Sequence, residues 1–468
     1  MAITLFFATL PQNSAIRQQL HQQTSLASMI GFSDTVAPYP YRSLCMRLFY
    51  TLLIYLLSPV VLFLLYRPRR GKPGFGPRWK EHLGWVAPPK HPTPIWIHAV
   101  SVGETIAVTP LIKAFKQRHP ELSIVLTTTT RTGADQAARL DDLVEHRYAP
   151  LDYPGAIKRF IKQIQPQALL IMETELWPNL LAQCGKQNIP VTILNARLSE
   201  KSCQRYQRVR HFFRQMSQSL TLVLCQHRDD AERLKRLGVT PQQIVVTGSI
   251  KFDIQLDQKQ IELGEQYRQS LGNRPVWIAA STHKGEDETI LRAHQEICKQ
   301  QLDALLILVP RHPQRFTDVA KLCLEQGFAI CRRSEQRIVT AQESVLLGDS
   351  MGEMAYFFQI ADIAFMGGSL VPVGGHNLLE PAALAKPTLI GPHFFNFSDI
   401  TRQLVDKNAC QVIHDESELA THVLQLLDSP EQQHMMGMAA FDVVAANQGA
   451  LEKSLTAIDT VLARLPQR

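Results

Sequence analysis

Met366-Gly-Gly-Ser-Leu-Val-Pro-Val-Gly-Gly-His-Asn-Leu-Leu-Glu-Pro-Ala-Ala383 joins an apolar strand pattern at 363–366 to a helix start near Leu378 through two glycine pairs. Glycines between a strand and a helix let backbone N–H groups approach a phosphate or a sugar, and a helix start favours negative charge. Glu380 falls in the first helical turn, where a carboxylate either satisfies the helix end or holds a sugar hydroxyl. A plain strand-to-helix turn also uses glycine. Two glycine pairs with His376-Asn377 and Glu380-Pro381 in one joint favour a ligand site over that plainer reading.

The same alternation extends on both sides of this joint. Around it, strands are expected at 277–281, 304–309, 345–347 and 388–390, with helices at 286–300, 314–326, 352–358 and 378–385. Upstream, strands are expected at 95–99, 123–128, 168–172, 191–195, 220–225 and 244–247, with helices at 105–118, 134–142 and 176–186. A polar helical link, 257–269, separates the two runs, and amphipathic helices follow from about Glu416. Strands alternating with helices at this spacing predict an α/β protein of two doubly wound, Rossmann-like domains facing a cleft. Ligands of such sheets bind at the carboxyl ends of the strands.

A chain of 468 residues is too long for one typical core, which agrees with two domains. With 45% hydrophobic and 19% charged residues it is globular in composition. The formal charge of +7 is uneven: Arg67, Arg69, Arg70, Lys72, Arg78 and Lys80 cluster against a single acid, Glu81. They follow a nearly continuous apolar run, 48–66, of about the length that spans a hydrocarbon core. That pairing predicts an N-terminal membrane-anchor helix, spanning or lying in the interface, with the later domains on the cytoplasmic side. No aromatic ladder or nucleic-acid motif accompanies the basic residues, so no nucleic-acid partner is expected. Residues 1–45 lack any period and are expected to be a disordered leader, or an extension ahead of a true start at Met46. The expected layout is thus leader 1–45, anchor and basic flank 46–70, first domain 71–255, second domain 256–440, and a C-terminal helix, 441–468, packing back toward the first domain. The eight cysteines, scattered and without a C-x-x-C pair, are expected to be reduced thiols and not a zinc site.

Every candidate for chemistry follows an expected strand. In Ser101-Val-Gly-Glu104, the carboxylate can take a proton from an attacking hydroxyl, or simply complement a helix start. In Met172-Glu-Thr-Glu-Leu-Trp-Pro-Asn179, Glu173 and Glu175 suggest glycosidic chemistry or metal binding, and equally a helix cap at Thr174 or Glu175. Lys251 in Gly248-Ser-Ile-Lys-Phe-Asp253 is a mobile positive charge for a phosphate, or a solvated lysine. Arg311 in Pro310-Arg-His-Pro313 can grip phosphate oxygens or form a surface ion pair. Met351-Gly-Glu353 opens a further helix, where free N–H groups can meet an anion.

These segments, with His98-Ala-Val-Ser-Val-Gly-Glu104, Asn195-Ala-Arg-Leu-Ser199 and Gly348-Asp-Ser-Met-Gly-Glu353, resemble one family in order and content: the 3-deoxy-D-manno-octulosonic acid (Kdo) transferases of Gram-negative bacteria. The resemblance runs from about Met46 to the C-terminus. It implies a GT-B, inverting glycosyltransferase with CMP-Kdo as donor and the lipid A precursor lipid IVA as acceptor, in lipopolysaccharide biosynthesis. It also implies that Glu104 is the general base and that Glu173 and Lys251 stabilise the transition state. Donor contacts would fall on Pro310 and Arg311, on Met351, Gly352 and Glu353, and on Asn377, Leu378, Leu379 and Glu380. Asn377-Leu-Leu-Glu380 departs mildly from the family pattern, where proline can occupy the second position, and keeps the carboxylate. No cofactor or metal is implied, because Lys251, Arg311 and the helix starts can meet the phosphate charge. Two alternatives stay open at this point: a GT-B enzyme using a UDP-sugar, and a non-catalytic, membrane-anchored protein that binds a nucleotide-sugar or lipid.

Overall fold

The computed structural model describes residues 40–66 and 76–465. The expected leader up to residue 39, and Arg67, Arg69, Arg70 and Lys72 of the basic run, lie outside the described residues. The chain forms two compact units, one of Met1–Lys251 with Gly449–Arg468 and one of Phe252–Gln448.

The first unit is built on strands β1 (Ile95–His98), β2 (Ile124–Thr128), β3 (Glu145–Tyr148), β4 (Ala168–Met172), β5 (Val191–Ala196), β6 (Leu222–Cys225) and β7 (Ile244–Val246). They pair in parallel in the order β3-β2-β1-β4-β5-β6-β7. A parallel sheet is covered on both faces, so its central strands are apolar throughout rather than alternating. In β1, Trp96 enters the core on one face while Ile95 and Ile97 enter the core on the other. The Trp96 indole N–H is satisfied by the Thr127 hydroxyl at 2.8 Å. The order reverses between β1 and β4, the switch point where such sheets open a crevice. The C-terminal helix Ala450–Leu462 belongs to this unit, with Leu455 and Ile458 in its core. Arg118 holds the helix through Glu452 at 2.7 Å and Asp459 at 3.0 Å.

The second unit repeats the plan with β8 (Val276–Thr282), β9 (Leu305–Pro310), β10 (Ile330–Arg332), β11 (Val345–Leu347), β12 (Ile363–Met366), β13 (Thr388–Ile390) and β14 (Cys410–Val412). All pairs are parallel, in the order β10-β11-β9-β8-β12-β13-β14, with the reversal between β8 and β12. The expected link helix is Gln258–Ser270, capped by Asp257.

Differences from the sequence expectations have local causes. Helix Val102–Arg118 starts earlier than 105 because the Ser101 hydroxyl accepts from Glu104 N. Helix Arg131–Ala138 starts before 134 because Thr130 caps it at Gly133 N, 3.1 Å away. The helix expected from 176 begins only at Pro178, and neither Thr174 nor Glu175 caps it. Its first N–H groups, on Asn179 and Leu180, are taken by the buried Asp152 carboxylate at 3.1 and 2.8 Å. The strands not foreseen, β3, β10 and β14, are all sheet edges, where short and charged sequences are tolerated.

Helix Pro40–Tyr66 contains the apolar run, with Pro59 inside it. Among the described residues, no helix is long and apolar enough to cross a membrane. The helix is seated on the first unit: Tyr50 donates to Asp152 at 2.9 Å, Thr51 to Asn179 at 3.1 Å, and Tyr153 to Ser58 at 3.0 Å. Leu48, Leu52, Leu56 and Val60, at helical spacing, together with Phe49 and Phe63, are exposed. Arg78 is not part of an open basic patch, since Glu81 grips its guanidinium through two bonds, at 2.7 and 2.9 Å, and its plane lies over Tyr148.

Candidate functional site

In the first unit the candidate carboxylates gather beyond the carboxyl ends of β1 and β4, the two strands flanking the reversal. Glu104 is buried in the first turn of helix Val102–Arg118. Its Oε2 accepts from Val100 N at 2.7 Å and its Oε1 from the Ser101 hydroxyl at 2.9 Å. It thus closes the helix start and also presents a carboxylate at the strand end. Burial pushes its pKa up to about 7, against the lowering pull of those two bonds, and the charges of Glu173 and Glu175 push the same way. A carboxylate poised near neutral pH is suited to proton transfer.

Glu173 follows β4 directly and holds a left-handed backbone, φ 57°, unusual for a residue with a side chain. The turn is fixed from beyond the strand, because the Thr174 hydroxyl meets the backbone of Arg197. The two acids then diverge. Glu175 accepts from the Trp177 indole at 3.1 Å, while Glu173 stands 3.4 Å from the Lys251 ammonium. That pair is more than a third exposed on each side, so it adds little to stability and leaves the lysine available to an incoming anion.

In the second unit the candidate residues lie after β11, β9 and β12, at the same edge of the sheet. Pro310 ends β9 and is buried, and Arg311 beyond it is exposed, its backbone N–H fixed by Thr282 O at 3.0 Å. Asn377, one residue ahead of the N-cap Leu378, accepts at 3.2 Å from Leu379 N, the first residue of the short helix Leu379–Ala383. Leu378 and Leu379 are buried against the core. Burial raises the Glu380 pKa, while its bond to Asn377 and the nearby Arg311 charge lower it. Arg311, Asn377 and Glu380 are therefore one cluster. After β11, Met351 is exposed and Gly352 has φ 82°. Glu353 is held by Arg333 at 2.7 Å, and Arg333 lies over the Tyr356 ring. The helices here, Met354–Ile360 and Leu379–Ala383, are short, so side chains and loop N–H groups carry more of any anion contact than the helix starts do. Among the described residues, no three His, Cys, Asp or Glu side chains gather as a metal-holding group.

The family model described as 3-Deoxy-D-manno-octulosonic-acid transferase (kdotransferase) matches residues 77–254. A 3-deoxy-D-manno-octulosonic acid transferase from Haemophilus influenzae is 40% identical over 423 residues, covering 89% of this chain and 99% of the relative. The chain belongs to the Kdo transferase family. A second member, from Bordetella pertussis, is 36% identical over 427 residues, 88% of this chain and 98% of its own. In fold, the chain is also similar to a solved Listeria monocytogenes protein described as a UDP-N-acetylglucosamine 2-epimerase. There the TM-score is 0.50 at 16% identity, covering 81% of this chain and 98% of that one.

Within this Kdo transferase family member, the structure brings Glu104 together with Glu173 and Glu175, and Glu173 with Lys251. It brings Arg311 together with Glu380 and Asn377. Glu286 and His283 were not singled out from the sequence. Glu286 is fully buried, and its carboxylate accepts from His283 N at 2.8 Å, Gly368 N at 2.6 Å, Ser369 N at 3.0 Å and Leu370 N at 2.9 Å. It clamps the first glycine pair of the joint after β12 to the loop after β8. Gly367 allows that closeness, since a Cβ there would lie 2.8 Å from Ser281 O. In the run Glu286-Asp-Glu288 after Lys284-Gly285, nothing in the sequence sets this glutamate apart from its acidic neighbours; its full burial does.

Proposed function

We propose that the chain transfers Kdo from CMP-Kdo to lipid IVA with inversion at the anomeric centre, on a GT-B fold, as a step of lipopolysaccharide biosynthesis. The observation that carries this reading is 40% identity to a named Kdo transferase over almost the whole of that relative. Glu104 takes the proton of the acceptor hydroxyl as that oxygen attacks the anomeric carbon. The bond from that carbon to the phosphate oxygen breaks in the same step, and CMP leaves. Arg311 and the loops after β11 and β12, with Asn377 and Glu380, hold the nucleotide. Lys251, released from Glu173, meets the negative charge that grows as the bond breaks. One displacement needs no enzyme nucleophile.

The test is transfer from CMP-Kdo to lipid IVA by purified protein, with UDP-sugars as competing donors. Transfer from CMP-Kdo alone supports the reading; transfer only from a UDP-sugar overturns it. Because fixed cations meet the phosphate in this scheme, EDTA treatment is expected to leave the transfer rate unchanged. A rate restored only by added Mg²⁺ would contradict the role given to Lys251 and Arg311.

The acceptor is a lipid, and we place the enzyme at the inner membrane, its catalytic units on the cytoplasmic side. Helix Pro40–Tyr66 supports this reading as an interfacial anchor: its Tyr50 and Thr51 hydroxyls bond to the first unit while Leu48, Leu52 and Leu56 are exposed. Each leucine moved from water into lipid is worth roughly 1.5–3 kcal/mol. Leu52→Glu with Leu56→Glu is therefore expected to weaken binding to anionic vesicles at least about a hundredfold. The thermal melt should stay unchanged. Undiminished co-sedimentation of the double variant would refute the anchor.

A further inference from the structure

His283 follows β8 and His376 lies in the joint after β12, so the two flank the reversal of the second sheet. Their Nε2 atoms are 2.9 Å apart, and their rings are nearly parallel, at 11°. A contact of that length requires one proton between the two nitrogens. Both rings lie against Gly368, whose φ of 67° suits glycine and where a Cβ would come 3.1 Å from His376 and 3.3 Å from His283. The Glu286 clamp sets the backbone on both sides. This is a built arrangement, with two loops and a glycine shaped around a histidine pair.

The surroundings are cationic. From the loop after β9, Arg311, Arg315 and His312 act on His283, and the His312 ring stands edge-on to it at 5.2 Å. Arg311 and His312 also act on His376. Glu286, from the start of helix Asp287–Gln300, acts on His283 as an acid, and its oxygens are already taken by four backbone N–H groups. Arg315 is paired with Asp287. Burial, the largest cause, and these positive neighbours lower both histidines, His376 to about 4, against the opposing pull of Glu286 on His283, so the pair is neutral at pH 7. An anion reverses that balance.

We infer that His283 and His376 form a proton-coupled anion subsite, which receives a negatively charged group of the donor and takes up one proton as that group enters. The group is either the phosphate or the sugar carboxylate. The shared proton stays between the two Nε2 atoms. The added proton goes to the ring nitrogen left bare, so that both rings turn an N–H outward. The inference rests on the donor reading given above. It assigns a binding role, not a catalytic one.

Calorimetric titration of the full-length protein at pH 7, in two buffers of different ionisation heat, reads proton uptake directly. The ligands are cytidine, CMP and CMP-Kdo, each against wild type, His376→Gln and His283→Gln. The expected result is net uptake on binding a charged ligand to wild type, none with cytidine, and loss of that uptake in both variants. Affinity for the charged ligand should fall at least about tenfold in the variants, the scale of one charge-assisted hydrogen bond. Uptake already with CMP assigns the phosphate, and uptake only with CMP-Kdo assigns the carboxylate. Binding of both charged ligands without uptake, or with the same uptake in the variants, overturns the subsite and leaves the donor reading standing. Failure of wild type to bind either CMP or CMP-Kdo overturns the donor reading and the subsite with it.

Discussion

Glu104→Gln is expected to lower the turnover of Kdo transfer by about a hundredfold to ten-thousandfold, the usual contribution of a positioned general base, while CMP binding stays at the wild-type level. The amide keeps the shape of the carboxylate and can still meet the Ser101 hydroxyl, so the helix start should survive. What is lost is the ability to accept a proton. The pH profile gives a second reading of the same residue. A base works in its ionised form, and burial has raised Glu104 to about 7. The wild-type rate should therefore climb with pH through about 7 and level off above it, and fall about tenfold per unit well below it. In Glu104→Gln the limb set by that ionisation should disappear. A variant with near-normal turnover would remove Glu104 from the chemistry and leave it as a helix cap.

Arg311→Ala should act on the donor instead. Losing a charge-assisted contact to phosphate is expected to raise the CMP dissociation constant about tenfold to a hundredfold. Arg311→Lys should recover only part of it, because an ammonium keeps the charge without the paired geometry of the guanidinium. Arg311→Ala also removes a positive charge acting on Glu380, whose pKa should rise further. An unchanged dissociation constant would place the nucleotide elsewhere.

The central strands were legible because their burial is total: Ile95 to Ile97, Ala168 to Met172 and Leu305 to Leu308 have no solvent face, and only apolar runs fill such positions. The edges were not. Glu145-His-Arg-Tyr148 pairs on one side only and carries charge, which reads as loop in one dimension. Helix Pro154–Ile164 went unread although Ile157, Phe160, Ile161 and Ile164 mark its buried face. Glycine pairs and strand-end carboxylates pointed to the candidate sites because chemistry at a strand end uses few residue types. The groups that hold those sites in shape left no such trace. Asp152 caps a helix more than twenty residues away, and Glu286 clamps backbone more than eighty residues away. Each is an ordinary acid until the fold buries it.

The most direct test of the central claim is the mass of lipid IVA after incubation with CMP-Kdo and the purified protein. The expected result is a gain of one or more Kdo units, with CMP released in equal number. Unmodified lipid IVA, with CMP-Kdo intact and the protein folded, would contradict it.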